Sequence, residues 1–342
     1  MGILDWFRNR PAQFDTDRLS SELIRSATEK AITLTNPRLN VLPACHARLA
    51  PAVATAIGFV QAMVEALPSA RPVSSALWSS DRVLRAFFAA PGDIPAALGR
   101  SGNLKTLFDK FPELDEACVT LGMAIREQQI LGTVLHGAIV RRDVVQTSVS
   151  FSDHRTHACG RDESELRRLV GVQAFEYLLA QALSEIGEDR VERQELEGNR
   201  ALIRARLRLL RDQGPGLGSM FAAAREAASE QGELEAKLLD NERQLEAIGD
   251  SGSALEMELA CLIEVLENPG RYLRVAQKRL RLNTMNVLID ETSSELAVDV
   301  DFSIADLGGT RPLQRAFVLA RCARGDVPAQ AISFDDAARY LL

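Results

Sequence analysis

From Asp162 to Asn268 the chain carries two long stretches of helical periodicity divided by a glycine- and proline-rich loop, and this pattern restricts the fold more than any other feature. Asp162-x-x-Glu165 is a capping box that starts a helix. Leu166, Leu169, Val172, Phe175, Leu179, Leu183 and Ile186 give its first half a broad apolar stripe, which thins beyond Gly187 to Val191, Leu196, Ile203, Leu207 and Leu210. Gln213-Gly214-Pro215-Gly216-Leu217-Gly218 cannot sustain a helix and reads as a loop. On the return, Met220, Ala224, Ala227, Gln231, Leu234, Leu238, Asn241, Leu245 and Ile248 alternate at spacings of four and three. That is a heptad seam, with Gln231 and Asn241 as polar interruptions that set register. Gly249 to Ser253 breaks the helix. Ser253-x-x-Glu256 caps a continuation through Leu255, Leu259, Leu262 and Leu266, which Asn268-Pro269-Gly270 ends.

The segment therefore predicts a long antiparallel helical hairpin over 162–269. Folding it at the loop sets Arg206 against Glu226, Arg200 against Glu233, Glu195 against Lys237 and Arg190 against Glu242. Each exposed pair contributes only ~0.2–0.5 kcal/mol, so the match speaks to orientation rather than stability.

Upstream, Asp17 to about Leu135 shows helical patterns punctuated by Pro and Gly. Leu19, Leu23, Ala27, Ala31 and Leu34 form one run. Pro51 to Leu67 forms another, and Val83 to Phe88 and Leu104 to Phe111 form shorter ones. Pro112 then predicts the first turn of a longer helix through Leu121, Ile125 and Leu131. The period changes to two at Val145, Thr147, Val149 and Phe151, which is a half-buried strand. Alternation returns at Leu296, Val298, Val300, Phe302 and Ile304. Leu280 and Leu282 differ in parity from Met285, Val287 and Ile289, which predicts a β-bulge at Asn283-Thr284. Arg315 to Cys322, apolar on both faces, is a third strand, and a short helix starts at Ser333.

The expected class is α+β and predominantly helical. An amphipathic or flexible segment at 1–15 precedes an all-helical domain at 16–140. A small antiparallel sheet of three to four strands is built from 141–161 and 270–342, and the hairpin is inserted between its strands. The abundance of Ala, Leu, Arg and Glu with 5% aromatics favours helices. A net charge of −7 argues against a dedicated nucleic-acid binder, which must neutralise phosphates. Five widely spaced cysteines, none in a Cys-x-x-Cys pair, argue against a disulfide framework or a four-cysteine zinc site. Leu49 to Leu67, broken by Pro51, Gln61 and Glu65, reads as a core helix rather than a membrane span. The expected location is the cytoplasm, with a position at the inner face of the membrane as the variant.

Chemical candidates are few. His154-x-x-His157-x-Cys159, in the loop expected after the first strand, offers imidazole and thiolate ligands to zinc or another divalent metal. It matches no standard zinc spacing, and a polar strand-to-helix loop is the plainer reading. Asp299 and Asp301 share a strand face about 6.5–7 Å apart and could share a divalent cation, or they form a solvated row with Arg281 as counter-charge. Gly249-Asp250-Ser251-Gly252-Ser253 resembles, over four residues, the nucleophile loop of trypsin-like serine proteases. It lacks that family's second consecutive Gly, and no histidine with an orienting carboxylate accompanies it, so it reads as a helix hinge and cap. Arg200, Arg204, Arg208 and Arg211 make a basic stripe that the facing acidic helix neutralises. Ile3, Leu4, Trp6 and Phe7, followed by Arg8 and Arg10, form a short amphipathic start able to make weak membrane-surface contact.

No catalytic constellation stands out, and no resident cofactor is expected. The leading expectation is a non-enzymatic interaction or scaffold protein that uses the hairpin to bind a protein partner or a second copy. The alternatives are a peripheral membrane protein with the first residues as its foot, and a metal-dependent enzyme using the His/Cys or Asp pair.

Overall fold

A computed structural model describes residues 16–136, 139–212, 223–248, 251–289, 296–308 and 313–328. The helices are α1 (Thr16–Thr35), α2 (Cys45–Glu65), α3 (Arg82–Phe87), α4 (Asp93–Gly99), α5 (Gly102–Lys110), α6 (Glu163–Asp212), α7 (Ala223–Ile248), α8 (Ser251–Glu267) and α9 (Pro269–Tyr272). The strands are β1 (Arg71–Pro72), β2 (Glu116–His136), β3 (Ile139–Gly160), β4 (Leu273–Asn283), β5 (Ala297–Leu307) and β6 (Leu313–Ala323). Two compact units emerge. Among the described residues, one takes Ile57–Glu176 with the chain from Pro269 onward, and the other takes the chain from Thr16 to Ala56 with Tyr177–Asn268.

The first unit holds the sheet, ordered β3-β2-β6-β5-β4 and antiparallel, with two-residue β1 added in parallel to β6. Broadly α+β is correct, but a six-stranded sheet exceeds the three to four strands expected. Most of the difference lies in residues 116–136, expected to be helical and in fact β2. Leu121 and Ile125 stand four apart, a spacing that satisfies both a 3.6-residue helix and a two-residue strand repeat. The arbiter is Ala117, Val119, Leu121 and Met123, whose alternate side chains are all buried in one core. Only a strand puts those four on one side.

The expected bulge at Asn283-Thr284 is a tight turn instead. Asn286 donates its backbone N–H to the Asn283 carbonyl at 3.1 Å and takes a φ of 56°, and the chain doubles back so that Leu288 bridges Leu282. Reversal of direction, rather than an extra residue, changes the parity. The returning segment also bridges β3, through Ser148 and Val287, with Leu288 N–H on the Thr147 carbonyl at 2.8 Å. The two edge strands are thereby linked at this point, which covers part of the hydrogen-bonding edge that a sheet otherwise exposes.

One sheet face packs on α3, α4 and α5, with Phe87, Phe88, Ile94, Leu98 and Leu104 meeting Val119, Leu121, Met123, Val300 and Phe302. The other face buries Cys118, Ala158, Phe317 and Leu319 with Leu67 and Leu166, so β6 is covered on both sides as its sequence implied. Two arginines cap helix C-termini in this unit. Arg167 donates to the carbonyls of Val64, Leu67 and Pro68 behind α2, and Arg324 donates to those of Phe108, Phe111, Pro112 and Leu114 behind α5. Both satisfy carbonyls that a helix end leaves without partners.

In the second unit, among the described side chains of α7, Gln231, Leu234, Leu238, Asn241, Glu242 and Leu245 are withdrawn from solvent, while residues 232, 233, 235–237, 239, 240, 243, 244 and 246 are exposed. The covered side is the seam read from the sequence. Contacts with α6 descend along it: Glu242 with Arg204 at 2.7 Å, Asn241 with the Leu196 carbonyl at 3.0 Å, and, from α8, Glu258 with Arg190 at 2.7 Å. The expected charge register is therefore wrong, since Arg190 meets Glu258 rather than Glu242. Surface pairs are too weak to choose among registers that repeat every heptad, and the apolar seam chooses instead. In the same unit Asn36 donates to Glu258 at 2.5 Å and Arg48 pairs with Glu256 at 2.7 Å.

Helix α2 is long and apolar enough, by length and composition, to cross a membrane. Its buried residues Cys45, Leu49, Ala52, Val53, Ala56, Val60 and Val64 recur at three-to-four spacing along one side. That is the burial pattern of an amphipathic core helix.

Candidate interaction surface and the predicted ligand residues

The His/Cys candidates lie inside β3, not in a loop after it. β3 carries register shifts against β2 between the partners of Val119 and Leu121 and between those of Gly122 and Ala124. The second shift accommodates Asp153, which takes a φ of 48°. Asp tolerates the left-handed region better than most residues, and a bulge supplies the need for it.

Bulging separates the candidate ligands. The His154 ring stacks on Phe88 with centroids 4.4 Å apart. Burial lowers its pKa, a hydrogen bond with the Phe87 backbone works in the opposite direction, and its Nε2 is buried without a hydrogen-bond partner. Cys159 reaches Ser101, Sγ to Oγ at 3.8 Å, and burial raises its thiol pKa. His157 is exposed beside Gly122, where an added Cβ would stand 3.0 Å from Nε2. Desolvation and the neighbouring guanidiniums of Arg315 and Arg155 all lower its pKa. The three side chains have three different sets of neighbours. Among the described residues no group of three or more His, Cys, Asp or Glu side chains is arranged to hold a metal ion.

A feature the sequence did not disclose stands nearby. The Asp153 carboxylate accepts from Arg155 Nε at 2.8 Å and from Arg315 at 2.7 Å, and Arg315 also donates to the Asp153 carbonyl at 3.0 Å. These bonds hold the carboxyl pKa down to about 2. Arg315 is too distant in the chain for any local pattern to have announced the clamp.

Asp299 and Asp301 do share a strand face, and both are exposed. Their cross-strand partners are Arg281 and Arg279, and Arg279 Nε reaches Asp301 at 2.6 Å. The pair is a rung-by-rung charge ladder between β4 and β5. Ile3, Leu4, Trp6 and Phe7 lie outside the described residues, as do the expected helix from Ser333 and the loop at Gly214–Gly218.

The remaining candidate is the long-helix surface. On α6 the side chains of Ile186 and Leu207 are buried, and Leu196 and Ile203 are half-buried on that same side. Asn241 sits on the α7 seam, its amide nitrogen bonded to Leu196 and its Oδ1 buried without a partner. Facing away, Val191 is 55% exposed and Leu202 69% exposed on α6, and Leu239 is 51% exposed on α7. Val191, which sequence spacing places on the inner stripe, lies on the outside.

Comparison of the chain with family models, with curated proteins and with solved structures finds no match.

Proposed function

We propose that this chain is a cytoplasmic, non-enzymatic interaction protein in which α6 and the returning α7 and α8 form a hairpin inserted between the strands of the sheet. The outer face of that hairpin binds a protein partner or a second copy. The observation that carries the reading is the exposure of Leu202, Val191 and Leu239 on helices whose inner seam is already covered. Side chains of this size lose about 1.5–3 kcal/mol each by remaining in water, and Val191 and Leu202 stand on the same side of α6. The acidic balance of −7 is consistent with a protein partner rather than a nucleic acid.

The test is photo-cross-linking in the native cell from a benzophenone residue at Leu202 or Leu239, with exposed Met285 in the sheet unit as the control position. Discrete adducts from the two helix positions and none from Met285 are the expected result. Full-length protein that yields no adduct from either helix position would sink the proposal.

A further inference from the structure

We infer that the occupant of the outer face of α6 is the same helix of a second copy, docked antiparallel about a two-fold axis near Arg200. This rests on the reading of the hairpin as a contact surface and goes one step further by naming what covers it.

The first observation is a second seam. Val191, Glu195, Gly198, Leu202, Ala205 and Leu209 follow one another at spacings of four, three, four, three and four. At 100° per residue this line lies about half a turn around the helix from Ile186, Leu196, Ile203 and Leu207. The first five of its positions are all exposed, so nothing among the described residues covers it there. A heptad line opposite an occupied one is the pattern of a helix that packs on both sides.

The second observation is Gly198. A glycine inside a helix costs about 1 kcal/mol relative to alanine. It has no left-handed φ to explain it, and a Cβ placed there would meet nothing within 4 Å. Its reason is therefore not found among the described residues. Antiparallel docking about Arg200 supplies one, because Leu202 then faces the partner's Gly198. The same register sets Glu195 against the partner's Ala205 and Val191 against the partner's Leu209. Two of these three layers put a long side chain opposite a small one, as interdigitated helices require.

The third observation is charge. Residues 185–197 hold six acids (Glu185, Glu188, Asp189, Glu192, Glu195 and Glu197) against Arg190 and Arg193. Residues 198–211 hold Arg200, Arg204, Arg206, Arg208 and Arg211 and no acid; of these Arg206 and Arg208 flank the outer line, and Glu188, Glu192 and Glu195 flank it in the acidic half, while Arg200, Arg204 and Arg211 lie toward the covered seam. Parallel docking would stack the basic half on itself, whereas antiparallel docking lays it on the partner's acidic half. Part of this charge is met within the chain, by Glu242 at Arg204, Glu258 at Arg190 and Glu197 at Arg193. Charge thus selects orientation, and the seam supplies the affinity.

Light scattering on the full chain across a concentration series is the test, with two variants and one pair of cysteine variants. The wild type is expected to dimerise. Gly198→Leu should preserve or raise helicity and thermal stability while weakening the dimer by about tenfold or more, because it fills the space that Leu202 of the partner subunit occupies. Leu202→Arg should give a monomer of unchanged circular dichroism. Oxidising a mixture of Val191→Cys and Leu209→Cys chains should yield the mixed disulfide, and neither variant alone should cross-link, since like positions are about 27 Å apart. A chain monomeric at every concentration, a dimer indifferent to Gly198→Leu, or self-cross-linking of Val191→Cys would overturn the inference. A monomer that still gives photo-adducts with another protein at Leu202 removes the second copy and leaves the interaction reading standing. Absence of both removes both.

Discussion

At Asp153 a single residue shows how tertiary contact rewrites local chemistry. Its φ of 48° belongs to the bulge, and its carboxylate is clamped by Arg155 from the same strand and Arg315 from β6. The bonds depress the folded pKa to about 2, below the unfolded value of about 3.9. A depressed carboxyl contributes stability that is fully present above the unfolded pKa and is lost as pH falls through the folded one. The difference in melting temperature between the wild type and Asp153→Asn is therefore expected to be constant above about pH 5 and to shrink progressively between about pH 4 and pH 2. Asn is the appropriate probe because it keeps the shape and accepts the left-handed backbone. A pH-independent difference would show that the clamp does not act through charge.

Among the elements, α7 shows the conflict between stability and specificity most clearly. Its seam places Asn241 at a buried position where the amide nitrogen donates to the Leu196 carbonyl and the amide oxygen has no partner. A half-satisfied buried amide costs stability, while its single bond holds the pairing at one register. Asn241→Leu is expected to raise the unfolding free energy by about 1 kcal/mol in urea titration. It should also broaden the distance distribution between spin labels on α6 and α7, because heptads can then slip. Destabilisation of the variant would mean that the bond to Leu196 outweighs the unpaired oxygen. The same reasoning explains why the charge pairs read from the sequence missed the observed register. They repeat with the heptads, whereas the interruption at Asn241 occurs once.

For the whole molecule, the notable fact is that the sheet draws on both ends of the chain. β2 and β3 precede the long helices, β4 to β6 follow them, and β2 pairs with β6 across that interval. The helices from Tyr177 to Asn268 belong to a different compact unit from the sheet. Two units with separate buried interiors are expected to melt in two calorimetric transitions. Arg324→Ala removes the cap on α5 and should lower the sheet unit's transition by about 5 °C, corresponding to about 2 kcal/mol. Asn241→Leu should move only the other transition. One cooperative transition that both variants shift equally would show that the units unfold together.

Periodicity by itself determined the long helices and the side of α7 that is covered, because burial along a helix follows its own repeat and needs no distant partner; the cap at Asp162 was legible from residue type, whereas Ser253, expected as a cap, lies inside α8. Periodicity also determined β5 and the two-sided burial of β6. Where a spacing of four was the only cue, at Leu121 and Ile125, helix and strand were equally admissible. The neighbours supplied by β3 and β6 decided for the strand. The turn at Asn283–Asn286, the dispersal of His154, His157 and Cys159 by bulges, the Asp153–Arg315 clamp and the cap by Arg324 likewise belong to the tertiary structure. Apart from the turn, whose own bonds are local, each depends on groups tens or hundreds of residues apart, whose proximity no local pattern encodes. The outer line of α6 is the intermediate case. Its spacing was present in the sequence throughout, but Gly198 and Ala205 concealed it, and only the exposure of Leu202 and Val191 gave it meaning.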